Sequence, residues 1–198
     1  LKHQKFKNKE IIPVQHEEDL LFKWIEKLEE IRPDILIGYN SDYFDIPYLY
    51  YRTCNVLGKE FADRMSPISK VTSGLTRHEG TIKGKNFQEI DIKGISSLDY
   101  MRMHKKYSWA DEPSWKLDDI GEKYAGMNKI EYEGNLDDLF KNDIQKFIQY
   151  NFVDVEILVK LDEKLEYLSL TKNIAHKGKH LYHEIYANTV TQDGAISA

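Results

Sequence analysis

Five residues, Asp34-Ile35-Leu36-Ile37-Gly38, constrain this chain more than any other stretch, because of what brackets them. Before them, residues 17–31 (EEDLLFKWIEKLEEI) place Leu20, Leu21, Trp24, Ile25, Leu28 and Ile31 on one helical stripe. Pro33 ends that helix, since the residue before a proline is pushed out of the α region. After them, Asp45-Ile46-Pro47 opens a second helix carried by residues 48–57, with the proline near the start, where its missing N–H is tolerated. A short β-branched run between two helices reads as a strand buried on both faces, the arrangement of layered α/β folds.

The rest of the chain extends that reading. Residues 67–95 look extended, and Thr81-Ile82, the run Phe87 to Ile92 and glycines 74, 80, 84 and 94 predict one or two hairpins. Residues 97–101 read as a strand-to-helix junction. A short helix is expected over 114–125, opening at Ser114 with Leu117, Ile120 and Tyr124 on one face. Leu136 to Phe140 precede a long helix over 142–168, capped by Asn142, whose stripe is Ile144, Phe147, Ile148, Val155, Leu158 and Val159. His176, His180 and His183 have helical spacing without cysteines or a set of acids beside them, and read as a solvated linker helix rather than a metal site.

With 198 residues and 41% apolar side chains, the chain can build one core and hardly two enzymatic modules. Its 28 Lys+Arg against 33 Asp+Glu give a formal charge of -5, so any nucleic-acid contact must be local rather than a bulk attraction. One cysteine, Cys54, excludes an intrachain disulfide framework. No apolar run approaches membrane-spanning length, and no membrane partner is expected. Residue 1 is Leu, and the last stretch, TVTQDGAISA, ends without a helix cap; the chain reads as a piece of a longer protein.

Two carboxylates stand in unusual contexts. Asp45 follows the strand and an aromatic turn and lies in the first turn of a helix, at the sheet edge where α/β folds bind ligands. A catalytic or metal-binding role and a plain helix-dipole role both fit it. Asp154 falls about 80 degrees from the centre of its helical stripe, with Tyr150 one turn earlier facing the same volume. On this local pattern alone, boundary residues of an ordinary helix, with Tyr150 a core aromatic, are the preferred reading. A pair of carboxylates with a tyrosine suits Mg²⁺ or Mn²⁺, which take oxygen ligands. Two aspartates are too few for a two-metal hydrolase, whose ions lie about 3.5–4 Å apart.

The segments 38-GYNSDYFDIPYLYYR-52 and 150-YNFVDVEIL-158 resemble the second and third exonuclease motifs of family B DNA polymerases. The likeness is strongest to the replicative polymerases of T4-like bacteriophages. The stretches SPISKV (66–71), ISSLDYMRMHKKYSW (95–109), WKLDDIGEKY (115–124) and HLYHEIYANTVTQDGAISA (180–198) resemble them in order and spacing as well. The resemblance implies an RNase H-like 3'-5' exonuclease fold of the α/β class, incomplete at its N-terminus and carrying an inserted β-hairpin. Residues 1–168 would then be the C-terminal portion of the exonuclease domain, and residues 169–198 a linker helix toward the polymerase palm.

By the same resemblance, Asp45, Tyr150 and Asp154 match catalytic positions. The two aspartates are metal ligands for two Mg²⁺ or Mn²⁺ ions, and the tyrosine positions the attacking water. Asn40 matches a position near the terminal nucleotide. Tyr43 and Phe44 match cleft aromatics that can stack a splayed base, with Phe44 equally suited to a core. The family's first motif, Asp-x-Glu on a strand, has no counterpart upstream of Asp45. Glu89-Ile90-Asp91 has its acids in the reverse order and reads as ordinary strand polarity. Asp99 reads as structural. The implied partners are a single-stranded DNA 3' end or primer-template, the missing N-terminal exonuclease segment and the palm, in the host cytoplasm of a phage. The implied activity is proofreading in the intact polymerase, with this chain inactive alone. The alternative is a structural, nucleic-acid-binding fragment or split-polymerase subunit without catalysis.

Overall fold

Helix α1, Glu17–Ile31, begins where the sequence concentrates Glu17, Glu18 and Asp19 in one turn, acids that suit the positive end of a helix. The Asp19 carboxylate accepts from the His16 backbone N–H at 3.3 Å. The helix ends at Arg32, whose backbone is left-handed (φ 48) and whose N–H donates to the Leu28 carbonyl at 2.8 Å, one residue before Pro33. Only Leu21, Ile25 and Leu28 of the expected stripe are buried; Leu20 and Ile31 are 55% and 68% exposed, so the apolar face is narrower than the sequence suggested.

The computed structural model describes residues 3–5, 9–76 and 87–186. It is a mixed α/β fold whose chain divides into two compact units, Leu1–Leu36 with Ser41–Ser97, and Ile37–Asn40 with Leu98–Ala198. Among the described residues, no helix is long and apolar enough to cross a membrane.

In the first unit, β1 (Gln4–Lys5) pairs antiparallel with β2 (Glu10–Ile11). Then follow α1, the first two residues of β3 (Ile35–Gly38), α2 (Asp45–Leu57), the short α3 (Lys59–Ala62) and a 3-10 turn, Asp63–Met65. The hairpin expected after residue 67 is β4 (Val71–Thr76) against β5 (Phe87–Ile92), antiparallel in the register Val71↔Ile92 to Thr76↔Phe87. Thr81-Ile82 and glycines 80 and 84, which the sequence also placed in hairpins, lie outside the described residues. Glu89 and Asp91 alternate with buried Ile90 and Ile92, as a period-2 strand requires, and the Asp91 carboxylate pairs with Lys93. Ile25, Leu28, Ile46, Tyr50, Met65, Val71, Ile90, Ile92 and Ile95 form this unit's core.

Strand β3 pairs with β6 (Ser96–Asp99), and the chain passes from one unit to the other within each of these strands. All four β3 residues are only half-buried, which corrects the expectation of a strand covered on both faces. Among the described residues β3 has one strand neighbour, β6, and so is not flanked on both edges.

In the second unit, Asp99 turns β6 into α4 (Tyr100–Tyr107): its fully buried Oδ1 accepts from Met101 N at 2.9 Å and Arg102 N at 3.4 Å, a helix cap. Helix α5 is shorter than expected, Leu117–Ile120, and continues as a turn of π-helix, Gly121–Ala125. It starts after Ser114 because Lys116 is extended and the Ser114 hydroxyl is spent accepting from Lys116 N at 3.3 Å. Asn135 caps α6 (Leu136–Asn142).

Asn142 closes α6 rather than capping the next helix; Asp143 caps α7 (Ile144–Leu165) by accepting from Lys146 N at 3.0 Å. The buried residues of α7 are Ile157 and Leu161, whereas Val155 and Val159 are 62% and 52% exposed, so the sequence-derived stripe was misphased in its second half. Glu166 (φ 52) separates α7 from α8 (Tyr167–Gly178). His176 lies in α8, His180 beyond it and His183 in a 3-10 turn, Tyr182–Tyr186, so the three do not share a continuous helix.

Candidate active site

Asp45 lies in the first unit. The turn before it is folded back so that the Ile46 N–H donates to the Ser41 carbonyl at 3.0 Å, and the Ser97 hydroxyl donates to Asp42 Oδ1 at 3.0 Å. Asp45 is thereby the first residue of α2, with an exposed side chain. Neighbouring atoms still desolvate it enough to hold its carboxyl above the ordinary carboxylate range. Phe44 is 66% exposed, which sets aside the core reading, and its ring stacks on that of Tyr48 at 6.3 Å and 8°. Tyr43 is half-buried in the same turn.

Asn40, Tyr150 and Asp154 lie in the second unit. Asn40 has a left-handed backbone (φ 62), a conformation asparagine tolerates better than most residues, and its N–H donates to Asp99 Oδ1 at 3.0 Å. The preceding Tyr39 hydroxyl donates to the Trp115 carbonyl at 2.9 Å, and burial raises that phenol's pKa. Asp99 therefore has a structural role: it caps α4 and fixes the backbone of Asn40. Its own backbone is clasped by Tyr186, whose hydroxyl accepts from Asp99 N at 3.0 Å and donates to Asp99 O at 3.1 Å.

Tyr150 and Asp154, one turn apart on α7, meet at a residue that the sequence did not single out. Lys129 Nζ donates to Tyr150 Oη at 3.1 Å and to Asp154 Oδ2 at 3.0 Å. Burial works to lower the pKa of the Lys129 ammonium, and its bonds to Tyr150 and Asp154 outweigh this and hold it above the ordinary lysine value. Tyr132 packs edge-on against Tyr150, ring centroids 5.4 Å apart and planes at 90°. Nothing in the sequence marks Lys129 among 28 basic residues; it sits in the polar stretch GMNKIEYEGN without a periodic pattern.

The second carboxylate oxygen of Asp154, Oδ1, is buried and makes no hydrogen bond among the described residues. A buried oxygen of this kind suits a divalent cation, as does the chemistry of the donors, all oxygens. The number falls short: among the described residues no group of three His, Cys, Asp or Glu side chains gathers to hold a metal. The donors present fit Mg²⁺ or Mn²⁺ in kind but not in number.

Comparison with known proteins adds a family match over most of the chain. Residues 1–120 match the family model described as DNA polymerase family B, exonuclease domain, a match that includes Asn40 and Asp45 and stops short of α7. The DNA-directed DNA polymerase of Escherichia phage RB69 is 31% identical over 185 residues, 93% of this chain and 20% of that protein. The DNA-directed DNA polymerase of Enterobacteria phage T4 is 30% identical over the same extent. The DNA polymerase delta catalytic subunit of Dictyostelium discoideum is 38% identical over 108 residues, 50% of this chain. The chain spans about a fifth of the length of the phage relatives.

Proposed function

The chain belongs to the family B DNA polymerase exonuclease domain, and from that premise we propose that it supplies the second and third carboxylate motifs of a 3'-5' proofreading exonuclease and is without hydrolytic activity on its own. The observation that carries this reading is the Asp154 carboxylate: one oxygen is held by Lys129, and among the described residues the other is buried without a hydrogen bond and no group of metal ligands gathers. Alone, the chain contributes structure and a surface for single-stranded DNA. Joined to the carboxylates that it lacks, it takes part in hydrolysis within a DNA polymerase.

In that assembly Asp45 and Asp154 would each offer a carboxylate oxygen to Mg²⁺ or Mn²⁺. The ions, when bound, neutralise the charge that develops on the scissile phosphate and acidify water. Tyr150 orients the attacking water through its phenol, which accepts from Lys129 and retains its own proton to donate. Lys129 holds Tyr150 and Asp154 in register and brings a positive charge to a site for phosphate. Asn40, Tyr43 and Phe44 hold the terminal nucleotide, the aromatic rings by stacking. Water oxygen bonds to phosphorus as the bond from phosphorus to the 3' oxygen of the shortened strand breaks; the proton lost by the water is balanced by one taken up at that oxygen, leaving a 3' hydroxyl and a deoxynucleoside 5'-monophosphate.

The test is hydrolysis of a 3'-labelled single-stranded oligonucleotide with Mg²⁺. The chain alone should stay at background. In an intact polymerase bearing this segment, Asp154→Ala should remove nearly all exonuclease activity, and Tyr150→Phe should cost about 10²-fold, the scale of one oriented proton-transfer contact. Undiminished hydrolysis by the Asp154→Ala enzyme would overturn the assignment.

A further inference from the structure

Lys129 lies in a connecting stretch, yet it reaches Tyr150 and Asp154 with two bonds of ordinary length. Something must fix its backbone. The Asp118 carboxylate does so: its Oδ1 accepts from Lys129 N at 2.6 Å, a bond between residues eleven apart in sequence. Charge-assisted bonds of this kind are the stronger class of hydrogen bond. Asp118 and Asp119 both stand in the first turn of α5, where acids favour the helix end. Asp119 is exposed and serves that role at the surface, whereas Asp118 is half-buried and turned to Lys129.

The chain between them is built as a closed strap. After α5, the turn of π-helix packs on α7 so closely that a Cβ on Gly121 would lie 2.7 Å from Ile157 Cγ2 and 2.9 Å from the Met127 carbonyl. Single turns of π-helix inserted after an α-helix recur at functional sites. Gly126 (φ 65) then reverses the chain, with Gly126 N donating to Glu122 O and Met127 N to Gly121 O, each at 3.2 Å. The strap therefore meets α7 at Ile157 and again at Asp154 and Tyr150, with the Asp118 bond closing it between.

We propose that Asp118 is a positioning residue for Lys129: by fixing the Lys129 backbone, it holds the ammonium against Tyr150 and Asp154 and so sets the geometry of that pair. The placement of the ammonium is independent of any reaction; its consequence for hydrolysis rests on the exonuclease reading. Two measurements on the 198-residue chain need no DNA. In the first, trace acetylation is read by mass spectrometry at Lys129, with exposed Lys160 as internal standard. Asp118→Ala should raise Lys129 labelling several-fold relative to Lys160, because an ammonium no longer held against Tyr150 and Asp154 is open to the reagent. Asp118→Asn keeps an acceptor oxygen and should label as the parent does. An Asp118→Ala chain that stays folded with Lys129 labelling unchanged would overturn the proposal.

The second measurement needs no variant, and so covers the case in which Asp118→Ala fails to fold. Amide hydrogen exchange of the parent chain should show Lys129 N–H protected relative to Asn128 N–H; equal, fast exchange at both would also overturn it. In an intact polymerase, Asp118→Ala should lower exonuclease kcat with KM unchanged, and Asp118→Asn should restore it. Altered labelling without altered kcat would leave the positioning intact and count against the nuclease reading alone.

Discussion

His104 shows how much a single buried side chain can commit. It is fully buried, ringed by Trp115, Tyr124 and Tyr167, and its Nε2 stands 3.7 Å from Glu112 Oε1, beyond hydrogen-bond reach. Glu112 is itself buried and is held by Lys123 Nζ at 2.8 and 3.0 Å and by the Tyr124 hydroxyl. Burial lowers the pKa of His104 below the ordinary value of 6.5; the Glu112 charge opposes this and Lys123 adds to it. The folded chain thus takes up a proton at His104 less readily than the unfolded chain does. Stability is fully present above the unfolded value and declines as pH falls below 6.5 toward the folded value. Denaturant unfolding followed from about pH 7.5 to about pH 5.5 should show a falling midpoint. His104→Gln should flatten that slope, and a parent midpoint independent of pH would contradict the assignment.

Elements were legible where one local rule governed them. The bounds of α1 follow from an acidic first turn and Pro33, and the start of α2 from Asp45 ahead of Pro47. The junction at Asp99 is where a strand pattern gives way to a helical one. What the sequence misplaced depended on partners distant in the chain. The burial of Ile157 and the exposure of Val155 are set by the π-helical turn packed on α7, which no periodicity of α7 itself reveals. Lys129 escaped notice for the same reason, since its meaning comes from Asp118 on one side and α7 on the other. That Tyr150 and Asp154 face one volume was legible because they sit a turn apart on one helix, while the roles assigned to them came from the family resemblance alone. A test at this scale is Gly121→Ala, which should destabilise the chain by about 1–3 kcal/mol through overpacking. The Met127 carbonyl is backbone and cannot rotate away as a side-chain tip would. A melting temperature equal to the parent's would show that the strap yields more easily than its geometry implies.

At the scale of the whole molecule, charge decides what the chain can hold. A net charge of -5 offers no long-range attraction to DNA, so binding must come from local aromatic and basic groups. Fluorescence anisotropy with a labelled single-stranded oligonucleotide should show weak binding that fades steeply as salt is raised from about 50 to 200 mM. Tight binding insensitive to salt would instead mark a dedicated nucleic-acid module. One further consequence follows from the route of the chain. Its first unit is interrupted by four residues, Ile37–Asn40, that belong to the second, so the polypeptide crosses between units three times. Neither unit can be copied out as a single uninterrupted stretch of gene. A cut between Ser97 and Leu98 would strand the second unit without Asn40, whose amide Asp99 holds, and would leave the first unit carrying an orphaned four-residue tract. Any recombination that preserves both units must move them together, as one heritable piece.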